Sequence, residues 1–397
     1  MSNINDFIIE NGILKEYKGN DTNVTIPDGV ISIGNGVFSG HQSLTSITIP
    51  NSVINIYPSA FDCCENLTSI TISDSVTNIS KDAFDGCKKL TNINISNGVT
   101  KISEHILDCC SKLKTLTIPE SVESITCSAL WRCQSVTEFI VDADNNYFSN
   151  DEFGVLFNKD KTVLIKYPSA NSRTSYTIPA SVTEIDKYAF WDCEYIERFT
   201  VDTENKHYSN DEFGVLFDKD KTVLIKYPQA NDRTTYTNPD TVVNISSNAF
   251  MYSHNLTDIN IIGDVTSIGD EAFALCKELA NVTITANVTS ISYKAFWCCF
   301  KLKNITAPHS ITNIGEQAFF HCLSLINITL PDSITSIGER AFSFCKNLAS
   351  INIPNSVISI GHHAFYYCPN LTISGACGSY AQEYAKENDI PFAEIEG

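Results

Sequence analysis

The chain has 397 residues, 43% of them hydrophobic, and a formal net charge of −19 at pH 7. That acidity argues against nucleic acid or an anionic membrane as a partner held by the net field. No apolar run approaches the roughly 20 residues a membrane-spanning helix needs, and residues 1–12 lack the basic and apolar regions of a signal peptide, although a longer precursor could carry one.

Residues 1–23 read as a capping hairpin. Phe7-Ile8-Ile9 and Ile13-Leu14 flank Asn11-Gly12, a strong hairpin signal, and a hairpin here would cover the apolar end of the first repeat. Residues 24–135 then repeat every 23 residues. In one copy the anchors are Leu67, Ile70, Ile72, Val76, Ile79, Phe84 and Cys87, and the Phe place recurs at Phe38, Phe61, Phe84, Leu107 and Leu130. A fixed period of this length means a solenoid, whose units bury their apolar rows only by stacking. Ile70 and Ile72 have the two-residue spacing of a strand with one face buried. Val76 and Ile79 suggest a second extended segment, and residues 81–87, poor in β-branched side chains, suit a helical turn that points Phe84 inward.

Residues 136–250 hold repeats with two insertions, since Leu130, Phe190 and Phe250 are 60 apart. The near copies 147–168 and 207–228 each read as a β-hairpin, for example Phe153–Phe157 and Thr162–Tyr167 around Asn158-Lys159-Asp160-Lys161. Such a hairpin either braces the coil or projects toward a ligand. Residues 251–373 resume the regular repeat, giving about twelve coils. Residues 374–397 read as a second cap, with Ser379 as helix N-cap, a helix to Asn388 and a last strand over Ile390–Ile395.

The run Cys64-Glu65-Asn66-Leu67-Thr68-Ser69-Ile70-Thr71-Ile72 and the later Ile334, Ile337-Gly338 and Ala341-Phe342 resemble the BspA-like, or Treponema pallidum type, leucine-rich repeat. The chain departs from the common leucine-rich form at Ser75, the third residue after Ile72. The insertions and the terminal cap resemble that family as well. The fold expected is a repeat solenoid: a leucine-rich-repeat right-handed superhelix with a parallel β-sheet on the concave side, short strands and helical turns elsewhere, and two β-hairpin insertions. The resemblance also implies surface adhesion and binding of host proteins.

Ten of the fifteen cysteines stand three residues after the Phe place. Equivalent residues of adjacent coils lie about 4.8 Å apart with parallel side chains, outside comfortable disulfide geometry, so a ladder of buried thiols is expected. Many free thiols fit a reducing compartment. The expected location is therefore cytoplasmic, with the cell surface or non-classical secretion as the alternative. In the pairs Cys63-Cys64, Cys109-Cys110 and Cys298-Cys299 the first residue is expected to face outward.

No zinc spacing, nucleophile elbow, P-loop or dinucleotide fingerprint occurs; no catalytic residue, metal site or cofactor is expected. A binding module for a protein or glycan on the concave face follows, with an intracellular interaction scaffold as runner-up and a thiol-dependent enzyme as the reading from another class. The outward strand places are mostly Ser, Thr and Asn, for example Thr117, Thr200 and Asn260. Glu138, Arg198 and Asp258 break that pattern near the insertions, and with Tyr147 and Tyr208 they complete the candidate contact patch.

Overall fold

The computed structural model describes residues 3–126, 128–306 and 308–395; the outermost residues of both end modules lie outside it. The chain forms two compact units, Met1–Ser172 with Ser181–Cys193, and Arg173–Ala180 with Glu194–Gly397. Within each, one repeat makes one coil of a leucine-rich-repeat solenoid.

In the first unit the strands Asn23–Thr25, Ser46–Thr48, Ser69–Thr71, Asn92–Asn94, Thr115–Ile118 and Glu138–Val141 form one parallel sheet. Its register is the repeat itself: Ser46 pairs with Asn23 and with Ser69. The middle residues Ile47, Ile70, Ile93, Leu116 and Phe139 are buried and their neighbours face out, as alternation along a strand requires. Two-residue strands such as Ser32–Ile33, Asn55–Ile56 and Asn78–Ile79 form a second parallel row. The hairpin Phe7–Glu10/Ile13–Tyr17 turns at Asn11 (φ 52°) and Gly12 (φ 78°) and extends this second row by pairing with Ser32–Ile33.

Residues 81–87 bury Phe84 fully, but through a chain of turns that alternates in handedness instead of a helical turn. In most coils the residues two before and two after the Phe place are left-handed: Ser59 and Cys63 (φ 56° and 55°), Glu271 and Leu275 (56° and 61°), Arg340 and Phe344 (51° and 62°). None of these described residues is β-branched, the side-chain type that tolerates this backbone least. The alternation aims three amides at the following coil. Ser59, Phe61 and Cys63 donate to the carbonyls of Lys81, Ala83 and Asp85, and Gln317, Phe319 and His321 to those of Glu339, Ala341 and Ser343. The Phe rings stack coil on coil, 5.3 Å apart from Phe38 to Phe61 to Phe84, and again from Phe250 to Phe365.

Each insertion contains one more coil, so the aromatic ladder has two places beyond the twelve that the Phe spacing reveals. Val163–Lys166 pairs in parallel with Glu184–Ile185, the Tyr167 amide donates to Ala189, and the Tyr167 ring packs 6.0 Å from Phe190. Tyr227 stands likewise 5.2 Å from Phe250. These coils are tighter: Leu164 precedes Tyr167 by three residues, whereas Ile185 precedes Phe190 by five. These coils also bury a lysine at the place before the Tyr. Lys166 Nζ donates to the Tyr188 carbonyl at 3.0 Å, and Lys226 Nζ to that of Asn248 at 2.8 Å.

All fourteen described cysteines are free thiols. Nine of the ten ladder thiols donate to the carbonyl at the Phe place one coil back, as Cys64 does to Phe38 (2.9 Å) and Cys299 to Phe273 (3.1 Å). The outward placement expected for the first Cys of each pair holds at Cys63 and partly at Cys109. Cys298 corrects it, for it is only 7% exposed. At the far end, Ser379 caps the helix Tyr380–Glu387, and Phe392–Glu394 pairs with Thr372–Gly375. Tyr384 packs on Phe365, with ring centroids 6.0 Å apart in an edge-on arrangement. No helix among the described residues is long and apolar enough to cross a membrane.

Candidate functional site

The outward strand face begins as a polar ladder. Asn304 Nδ2 donates to Asn281 Oδ1 (2.9 Å), Asn281 Nδ2 to Asp258 Oδ1 (2.6 Å), and Asn260 Nδ2 to Thr237 Oγ1 (3.2 Å). Thr257 also donates to Asp258. The Asp258 carboxylate therefore serves its own coils first. The hydroxyls of Thr200 and Thr177 meet at 2.6 Å, and Thr117 stands exposed between its register partners Asn94 and Ile140.

Glu138 and Arg198 differ because an insertion folds onto each. In the second unit Asp211 Oδ1 accepts the amides of Phe213 and Val215, which closes a tight loop. Gly214 (φ 79°) crowns the loop directly over Arg198: a Cβ there would lie 2.4 Å from Arg198 Cβ. The Phe199 amide donates to the Gly214 carbonyl, the Val201 amide to Asn210 Oδ1, and Arg198 Nη2 to the Glu212 carbonyl. In the first unit Gly154, Phe139 and Asn150 repeat this arrangement over Glu138. The inserted loop thus takes up strand amides that in a regular coil face another strand.

Beside Arg198 the loop leaves a cleft of about 330 Å³ lined by Glu197, Arg198, Glu212, Phe213, Asn231, Asp232 and Arg233. The Arg233 guanidinium lies 3.7 Å from the Phe213 ring centroid, within cation–π range. Asn231 fixes the walls, donating to the carbonyls of Glu197 and Phe213 at 3.0 Å each and accepting from the Tyr227 hydroxyl. The cleft offers two guanidinium groups, an aromatic face and carboxylates, a donor-and-acceptor set suited to hydrogen bonding with a polar partner.

Of the sequence-derived candidates, the cleft brings in Arg198 alone. Glu138, Tyr147 and Thr117 belong to the first unit; Arg198, Thr200, Tyr208, Asp258 and Asn260 belong to the second. Tyr147 is 47% exposed, but Tyr208 is half-buried, because Tyr208 aligns with the buried Phe148 and it is His207 that aligns with Tyr147. Phe213, Asn231 and Arg233 were missed. Their signal was the duplication of the insertion, since the first copy holds Phe153, Asn171 and Arg173 at the same places.

The first thiols of the three Cys-Cys pairs are not activated. Cys63 is pushed up to about 11, first by its hydrogen bond with Asp62 and then by burial, and burial pushes Cys298 up to about 11 and raises Cys109. A thiol nucleophile needs the opposite shift.

The sequence profile described as BspA type leucine rich repeat region matches residues 8–137, 167–216 and 243–372 in six copies. The second match opens on Tyr167, the ladder place concealed in the first insertion. Among solved structures, the chain is similar to a leucine rich cell surface protein from Faecalibacterium prausnitzii A2-165, with 28% identity over 96% of this chain and 94% of that one and a TM-score of 0.55. It shares its fold with a leucine-rich repeat protein from Eubacterium ventriosum (24% identity, 89% and 88% covered, TM-score 0.58) and with the pneumococcal vaccine antigen PcpA (18%, 98% and 96%, 0.52). No match is found among curated proteins.

Proposed function

Since the chain belongs to the BspA-type leucine-rich-repeat family, we propose that it is a non-enzymatic, surface-associated binding module that engages a protein or glycan through its outward strand face and the hairpin cleft. The carrying observation is the cleft itself: the second insertion closes Arg198, Phe213 and Arg233 into one recess at the edge of a strand face whose other polar groups already pair with each other. The cell-surface description of the Faecalibacterium prausnitzii protein favours the same reading. The ladder thiols do not oppose it, because buried, hydrogen-bonded thiols with raised pKa values are inert.

The test is binding of the intact protein to glycan and extracellular-matrix protein arrays, with Arg233→Ala and Phe213→Ala beside the wild type. Both substitutions should weaken binding at least tenfold while the unfolding midpoint of Arg233→Ala stays within a few degrees. Binding unchanged by either substitution would remove the cleft from the contact. The intracellular scaffold reading draws on the free thiols; protease treatment of intact cells separates the two, since a surface protein is stripped and a scaffold survives until lysis.

A further inference from the structure

The place directly after the Phe anchor forms a column on the turn side, and in three successive coils of the first unit it holds Asp62, Asp85 and Asp108. Stacking like charges at coil spacing is unfavourable unless something offsets them. The next residue in the third of these coils is Cys109. Ligand atoms of Asp85, Asp108 and Cys109 all lie within 4.8 Å of one another. We propose that these three residues bind a divalent cation of the zinc type.

Asp108 supplies an independent sign of a missing partner. It is only 9% exposed, and its Oδ1 is sealed from solvent with no hydrogen bond, an expensive state for a carboxylate oxygen. A cation between the three groups offsets the charge column and gives the Asp108 carboxylate a further partner. Metal–oxygen and metal–sulfur distances of about 2.0–2.3 Å put ligand atoms of one site somewhat under 4 Å apart, so small side-chain rotations close the site. Asp108 Oδ2 faces His105 Nδ1 at 3.5 Å, and a carboxylate held by imidazole is a common support for a metal ligand. The thiol selects the cation class: hard cations such as calcium and magnesium take oxygen ligands, whereas zinc accepts sulfur, nitrogen and oxygen. Arg132 Nη1 stands 3.7 Å from Cys109 Sγ. It is exposed and competes with the cation for the sulfur, so it must swing aside on binding.

The second unit provides the internal control. There the corresponding place before Cys298 holds Trp297, and the preceding coil holds Ala274-Leu275, so Cys298 has no carboxylate column beside it.

The test titrates the full chain, stripped with chelator, first with Co²⁺ and then with Zn²⁺. The expected result is one equivalent of Co²⁺ with a near-ultraviolet thiolate charge-transfer band, displaced by Zn²⁺. Cys109→Ser should abolish the band. Asp108→Asn, and independently Asp85→Asn should the first fold poorly, should weaken Zn²⁺ binding at least tenfold. Arg132→Ala should tighten it, and Cys298→Ser should change nothing. No Co²⁺ uptake by the wild type, or a band that survives Cys109→Ser, would overturn the proposal.

Discussion

A thiol occupies the corner of each coil because its long C–S bond lets it reach the carbonyl one coil back. Ser253, which replaces it once, shows the difference: its shorter side chain turns to its own coil and donates to Phe250 at 2.6 Å. Cys299→Ala should therefore lower stability by about 1–2 kcal/mol through a lost hydrogen bond and a small cavity. Cys299→Ser should cost less by copying Ser253, and denaturant midpoints of the two variants check this. Asp85 belongs to the same scale. Burial, followed by the charges of Asp108, Asp62 and Asp82, pushes it up to about 6, above its unfolded value near 3.9. The native state then binds this proton more readily than the unfolded state does, so the contribution of Asp85 to stability improves as pH falls from 7 through 6 toward 4. Asp85→Asn should raise the midpoint at pH 7.5 and show a smaller gain at pH 5 than the wild type, measured in chelator. The thiol ladder was legible from spacing alone. The burial of Cys298 was not, because Cys63 and Cys109 hold the same place in their coils and are more exposed.

At the scale of elements, the turns and the insertions set the limits. Arg340 is exposed and left-handed, so Arg340→Val should destabilise by about 1–2 kcal/mol from backbone strain, while Arg340→Gly should be neutral or stabilising; thermal midpoints separate them. Gly214→Val should unseat the second insertion from Arg198 and expose its amides to fast hydrogen exchange, leaving exchange over 304–365 unchanged. The strands, their register and the capping hairpin could be read from alternation and from Asn11-Gly12. The turn geometry could not, since a left-handed residue leaves only a negative mark, the lack of Val, Ile and Thr. The extra coils escaped because Tyr stands for Phe and Lys for the small Ala before it, and because two residues are dropped, so the period no longer aligns.

For the molecule as a whole, the repeat makes length adjustable within the second unit. Excising residues 304–326, one full period, should leave a folded chain with the same far-ultraviolet circular dichroism shape, because each coil contacts only its neighbours. Excising half a period should not, because a shifted register turns buried anchors outward. The family was legible from this periodicity. The partner was not, because the outward Ser, Thr and Asn that might have named it serve the coil-to-coil ladders, as Asp258, Asn281 and Asn304 do.

The three turn amides of most regular coils point the same way. Peptide dipoles aligned in series add, so each uninterrupted column of turns carries an electrical polarity along its stacking direction, with hydrogens leading and oxygens trailing. A column cut after such a coil ends in bare donors, and whatever closes it must bring lone pairs. The two closing modules are thus chemically opposite parts: a transplanted terminus would have to match the sign of the end it covers as well as its apolar outline.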